Sequence, residues 1–220
     1  MNFKNKITAI TAVLFLTVIS ISTAQKSSTD VDNREKLQFG FKVGGTYSNV
    51  YDASGEEFKA QAKFGAAAGI FLRIPIGKYF GIQPEGVISQ KGFKASGTLL
   101  GGRYDFTRTT TYLDIPLLLE LKPSEFFTLV VGPQFSYLLN QRDQFTSSAN
   151  SYYQELEFEH SGIRKNIFGA VGGFEINLKH IVLGARVGID LQNNNGDGTS
   201  TTPRYKNVCF QGTIGYSFYR

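Results

Sequence analysis

From Ile181 the chain runs IVLGARVGIDLQ, where Ile181, Leu183, Ala185, Val187, Ile189 and Leu191 share one face while Val182, Gly184, Arg186, Gly188, Asp190 and Gln192 share the other. A period of two sustained this long marks a strand, not a helix. The C-terminal segment repeats it: Val208, Phe210, Gly212, Ile214, Tyr216 and Phe218 alternate with Asn207, Cys209, Gln211, Thr213, Gly215 and Ser217. Six more segments read alike, at about 39–51, 63–76, 79–93, 109–122, 126–140 and 166–179, which makes eight strands. Tight connections around Gly77, Pro123 and Lys179 follow the second, fourth and sixth. Long polar stretches, roughly 52–62, 94–108, 141–165 and 193–206, follow the first, third, fifth and seventh. Turns and loops therefore fall at opposite ends of one antiparallel sheet. The pattern predicts an all-β fold: an eight-stranded antiparallel up-and-down transmembrane β-barrel with short periplasmic turns, long extracellular loops and both termini on the periplasmic side.

Alternation alone does not say which face is outside. A soluble barrel of the lipocalin type would turn its apolar face inward and need a densely charged exterior. Here the polar face carries mainly Gly, Ser, Thr, Ala and Gln with scattered charges, which suits a narrow lumen filled by side chains. The opposite face holds Phe41, Val43, Phe64, Ile70, Leu72, Leu113, Ile115, Leu117, Leu119, Leu121, Leu129 and Val131 among others, with no charge at the strand centres. Outer-membrane lipid is its expected solvent.

Several stretches carry a resemblance. YLDIPLLLELKP (112–123), FGFKVGGTYSNVY (39–51), IQPEGVISQKGF (82–93) and VVGPQFSYLL (130–139) resemble segments of the outer-membrane β-barrel domain common in Bacteroidota, the PorT-like family, with an OmpA/OmpX-like eight-stranded barrel. The resemblance runs from about Phe39 to the end. It implies the barrel and, through Phe218 and Tyr219, recognition by the barrel-assembly machinery, although Arg220 follows that aromatic end. For function it implies little beyond an accessory role in envelope secretion, as in PorT itself.

The N-terminus gives a compartment. Lys4 and Lys6 precede an apolar stretch from Ile7 to Ile21 that closes on Ser22, Thr23 and Ala24, so residues 1–24 read as a signal peptide. Residues 25–38 read as a flexible polar tail and 39–220 as the barrel domain. Loss of Lys4 and Lys6 takes the 23 basic residues to 21 against 18 acidic, a net of +3, which gives no reason to expect nucleic acid as a partner. The single Cys209 cannot form an internal disulfide. A monomer is expected.

The candidate chemistry lies on the polar face: Lys42, Arg73, Lys91 and Arg186 against Glu85, Asp114, Glu120, Glu175 and Asp190. Near-balance favours pairing over a selective pore, because an unpartnered buried charge is costly. Register counting suggests that Arg73 bridges Glu85 and Glu120. Asp114 and Glu120 are about 20 Å apart along a strand, too far for a catalytic dyad. His160 and Ser161, adjacent in a long loop beside Glu157 and Glu159, do not reproduce the arrangement of the lipid A deacylases. The stretch from Asn193 spaces Asn193, Asn195 and Asp197 like a calcium loop, but Arg204 stands where Glu is needed. No phosphate loop, zinc signature or nucleotide fingerprint is present, and no cofactor is expected. Three classes stay open: a structural or surface-binding barrel with an envelope or surface protein partner, an accessory of a secretion machine, and a small loop-gated pore. The third long loop, with Phe145, Tyr152, Tyr153 and Phe158, suits partner contact or an extension of the sheet above the membrane.

Overall fold

The computed structural model describes residues 32–51, 59–99, 102–147, 151–155, 164–194 and 205–219. The expected signal peptide, His160, Ser161, Phe158, Arg220 and the Asn195–Arg204 part of the calcium-like stretch lie outside the described residues.

The strands are β1 (Gln38–Tyr51), β2 (Lys59–Pro75), β3 (Phe80–Leu99), β4 (Gly102–Leu121), β5 (Phe127–Ser147), β6 (Ser151–Glu155), β7 (Asn166–Leu178), β8 (Ile181–Asp190) and β9 (Lys206–Phe218). All pairings are antiparallel, between consecutive strands except that β5 pairs with β7 past β6, and β1 pairs with β9 from Phe39↔Phe218 to Tyr51↔Lys206, so eight strands close into an up-and-down barrel. The ninth, β6, pairs only with the far end of β5, Arg142↔Glu155 to Thr146↔Ser151, and takes no part in closure.

Closure follows from the alternation. Along β4, Leu113, Ile115, Leu117, Leu119 and Leu121 turn outward while Tyr112, Asp114, Leu118 and Glu120 are buried within. The outward face bears aromatic rows at two levels: Phe39, Tyr79, Phe80 and Phe218 near the turns, and Tyr47, Phe64, Phe210 and Phe168 toward the loops. Phe39 and Tyr47 are about 26 Å apart along β1 at about 3.3 Å per residue. That matches an apolar band flanked by aromatic girdles.

The ends of the strands differ from expectation on the loop side. The stretch 94–108, expected as a loop, carries the continuation of β3 and β4 to the Leu99↔Gly102 pair, whereas in 141–165 the last residues of β5 and β6 take the second of the two forms expected there, an extension of the sheet. Polar side chains such as Thr107, Thr109 and Gln144 alternate along these extensions without the apolar contrast that makes a membrane strand visible in sequence. Among the described residues, the strands from β3 to β5 consequently run longer than those from β7 to β9.

Two register shifts re-aim the side chains. One lies on β2 between Ala62 and Ala67, opposite β3, and the other on β5 at Leu139, opposite Thr111 and Tyr112 of β4. At the first, β1 supplies the missing partners: Thr46 Oγ1 donates to the Gln90 carbonyl at 2.6 Å, and Ser48 Oγ accepts from the Gly92 amide and donates to its carbonyl, both at 2.9 Å. Gly92 has φ +145°, and a Cβ there would lie 2.1 Å from the Arg108 carbonyl oxygen, so no other residue fits without rearrangement.

The turn end is tied together across its connections. Ile76 donates its amide to the Phe80 carbonyl at 3.0 Å, and Lys122 donates to that of Tyr79 at 2.7 Å. The last part of the expected tail is ordered here. A short 3-10 helix (Asn33–Glu35) is held by Lys122 Nζ donating to the Arg34 carbonyl at 2.8 Å and by Gln38 Nε2 donating to that of Asn33 at 2.8 Å. Lys36 lies over the Tyr219 ring.

Candidate functional site

An eight-stranded barrel leaves room inside for side chains and little else. Each charged residue facing the lumen must therefore find its counter-charge among other inward residues. The structure divides the nine candidates into three groups.

The largest group fills the lumen toward the turns and joins Lys42 on β1, Arg73 on β2, Glu85 on β3, Glu120 on β4, Glu175 on β7 and Arg186 on β8. Arg73 is its hub. Its Nη2 donates to Glu175 Oε2 at 2.5 Å, its Nη1 to Asn177 Oδ1 at 2.9 Å and Gln38 Oε1 at 3.4 Å, and its Nε to Gln83 Oε1 at 3.0 Å. The same Nε stands 3.4 Å from Glu120 Oε1. Glu85 is held from two sides, by Lys42 Nζ at 2.5 Å on Oε1 and by Arg186 Nη1 at 2.7 Å on Oε2. Gln83 couples the halves, its Nε2 donating to Glu85 Oε1 at 2.6 Å and Glu175 Oε1 at 3.2 Å. The planar guanidinium fork is what allows one residue to serve four strands.

The expected Arg73 bridge is thus half corrected. Arg73 reaches Glu120, but its second carboxylate is Glu175 on the far wall, and Glu85 belongs to Lys42 and Arg186. Counting register along adjacent strands cannot see a partner across the lumen.

Glu120 is the least ordinary member. It is 0% exposed, and neither oxygen accepts a hydrogen bond; its neighbours are Arg73 Nε and, at 3.6 Å, Lys122 Nζ. Gly81 lies opposite it in register, and a Cβ there would come 2.4 Å from Glu120 Oε2, so glycine makes its space. Lys122 lies beyond the end of β4; burial lowers its pKa from the ordinary lysine range and Glu120 opposes that.

The second group is local to β3, β4 and β5. Asp114 accepts from Ser89 Oγ and Ser136 Oγ, each at 2.5 Å, and from Lys91 Nζ at 3.0 Å. The third is Asp190, whose Oδ2 accepts from Asn207 Nδ2 at 2.6 Å and from its backbone amide at 3.3 Å. Asp114 and Glu120 are in separate groups.

Alternation missed three features. Lys122 stands just past a strand end. Large apolar residues also point inward: Leu118, Val130 and Val171 form one cluster and Tyr112, Leu138 and Ile167 another, along the wall opposite much of the charge. Nearest the loops, Arg108 makes a two-pronged contact with Asp143, at 2.8 Å through Nε and 2.7 Å through Nη2, and Nη1 donates to Tyr205 Oη at 3.3 Å. The parity of β4 runs unbroken from Asp114 through Tyr112 and Thr110 to Arg108, a signal that could have found Arg108. Asp143 was hidden, because the register shift moves the inward positions of β5 from Ser136 and Leu138 to Gln141 and Asp143.

Among the described residues, no group of three or more His, Cys, Asp or Glu is placed to hold a metal ion. The arrangement neutralises charge and fills space.

The family described as outer membrane protein beta-barrel domain matches residues 23–216. Comparison with curated proteins finds no match. Among solved structures, the chain is similar to Ail, the attachment invasion locus protein of Yersinia pestis, at 13% identity over 83% of this chain and 99% of that one, with a TM-score of 0.45. It is similar to Neisserial surface protein A at 9% identity over 82% and 97%, TM-score 0.47. It is similar to OprG from Pseudomonas aeruginosa at 16% identity over 87% and 100%, TM-score 0.45. Likeness this distant carries no activity across.

Proposed function

The chain belongs to the outer membrane protein β-barrel domain family, and from that premise we propose that it is a non-enzymatic barrel with a side-chain-filled lumen, acting through partner or surface binding at its extracellular end. It is a protein of the outer membrane. The observation that supports this reading most is the lumen: Lys42, Arg73, Glu85, Glu120, Glu175 and Arg186 interlock across it, while Lys91 with Asp114, and Asp190, are engaged by neighbours. In this reading the nine residues are a structural charge network, and the barrel is a rigid stand. The loop-side ends of β3 to β5, with β6, are the part offered to partners. Planar-bilayer recordings of the purified protein test it: no conductance above the bare bilayer is expected, and stable unitary steps would replace this reading with the loop-gated pore.

A second reading, an accessory component of an envelope secretion machinery of the PorT-like kind, is favoured by the YLDIPLLLELKP segment and its neighbours. It expects the protein to co-purify from native envelope in a stoichiometric assembly that survives deletion of the β5–β6 extension less well than the barrel itself does. Recovery only as a monomer would remove it.

A further inference from the structure

Facing the bilayer on the side of β1, β9 and β8, the barrel carries an open groove of about 730 Å³. Register explains it. Gly45 on β1 pairs with Gly212 on β9, which pairs with Ala185 on β8, so three adjacent outward positions lack a side chain beyond a methyl group. One row toward the loops, Tyr47, Phe64 and Phe210 form an aromatic rim, and Phe174 closes the groove at its β7 end. The floor glycines do not serve chain packing. A Cβ at Gly212 would meet nothing within 4 Å, and one at Gly45 only the Gly65 carbonyl oxygen at 3.8 Å.

A second observation lies just beyond the rim. Lys63 immediately precedes Phe64 and sits in the register shift of β2, its Nζ donating to the Phe64 carbonyl at 3.2 Å. Lys94 on β3 pairs with Gln61, next to that shift. Lys63 is half-buried and Lys94 exposed, and the Gln61↔Lys94 pair places Lys94 on the neighbouring strand two residues along from Lys63. Among the described residues neither has an acidic partner, although every charged lysine of the lumen network has one. Two cationic side chains at the height of the loop-side aromatic girdle, with no acidic partner among the described residues, suit an anion from outside the chain. Below them, the groove is bordered by the outward side chains of Tyr47, Phe64, Phe174 and Phe210.

We propose that Lys63, Lys94 and the Gly45–Gly212–Ala185 groove form a binding site for one lipid of the facing leaflet whose phosphate headgroup carries a net negative charge. The phosphate lies between the two ammonium groups, and an acyl chain crosses the rim at Phe64 to lie on the glycine floor. Lysine suits the task as a mobile point charge whose stem can follow the apolar surface while its amine reaches the headgroup layer. A free anion would satisfy the lysines and leave the groove unexplained. A neutral lipid would do the reverse.

The test is native mass spectrometry of the full-length protein in a non-ionic detergent, with equal amounts of phosphatidylglycerol and phosphatidylcholine bearing the same acyl chains. One phosphatidylglycerol is expected to stay bound, with a preference on the order of tenfold, as two near-surface lysines allow. Lys63→Gln with Lys94→Gln should abolish the preference while heat-modifiable gel migration stays that of a folded barrel. Gly45→Leu with Gly212→Leu, which fills the groove on its open side, should weaken retention of the lipid with both lysines intact. Equal retention of the two lipids would overturn the proposal, as would a preference surviving the lysine changes or a filled groove without effect. Displacement of the lipid by millimolar inorganic phosphate would reassign the lysines to a free anion.

Discussion

The two halves of the lumen solve the same problem in different ways. Toward the turns, long charged side chains meet across the barrel, and Arg73 alone touches residues from β1, β3, β4 and β7. Toward the loops, ion pairs join adjoining strands, as Asp114 does with Lys91 and Arg108 with Asp143, the hydrogen bond of Arg108 to Tyr205 reaches across, and the remaining space is filled by Phe93, Tyr112, Leu138, Ile167 and Tyr205. The difference shows what each half holds. A cross-lumen ionic network fixes the distance between opposite walls; ion pairs on adjoining strands chiefly fix the register of neighbours, and packed rings fill the space between. Removing one group should therefore be felt widely below and narrowly above.

The sharpest way to break this contrast is Arg73→Ala. It leaves Glu120 and Glu175 buried beside fewer cations, and the loss of one partner from a buried pair typically costs about 3–5 kcal/mol. The chain has no Trp, so the measurement is the urea midpoint of gel migration or circular dichroism. A midpoint unchanged from the parent would deny the network its role. Next, Gly92→Ala forces a side chain onto a backbone with φ +145° and against the Arg108 carbonyl. About 2–3 kcal/mol is expected from the backbone alone, read as a lower urea midpoint with the barrel still closed; tolerance of alanine would mean that the register shift of β2 is soft.

Asp114→Asn tests the upper half. The amide keeps an acceptor for one of the serines but leaves Lys91 without its counter-charge, and about 1–3 kcal/mol is expected. A loss as large as that of Arg73→Ala would erase the distinction between the halves. The smallest effect belongs to Tyr205→Phe, which removes one hydrogen bond to Arg108 while Asp143 still holds both prongs of the guanidinium. About 1 kcal/mol or less is expected, confined to hydrogen exchange near the loop end of β4 and β9. Protection lost at the turn end would show that the two halves communicate.

The strand count, the order of short and long connections and the sidedness of every strand centre were legible in the sequence, because side-chain direction alternates with an invariant period and lipid tolerates no charge there. The stretch TYLDIPLLLELKP shows this best: parity alone sends Asp114 and Glu120 inward and the leucines out. The extensions of β3 and β4 were not legible, since above the bilayer both faces of a strand can be polar and the contrast vanishes; that of β5 was signalled only by the aromatic residues of its loop, which left partner contact equally open. Nor was the inward position of Asp143, because one register shift reverses parity without leaving a residue type that announces it.

Sequence by itself therefore determined which face each membrane residue takes, and with it the barrel and its orientation to lipid. Only the tertiary structure decided who meets whom inside. Arg73 could be assigned to the lumen from its neighbours along β2, but its pairing with Glu175 depends on the curvature that brings β7 opposite β2. Closure is a property of the whole ring of strands, and no local pattern carries it.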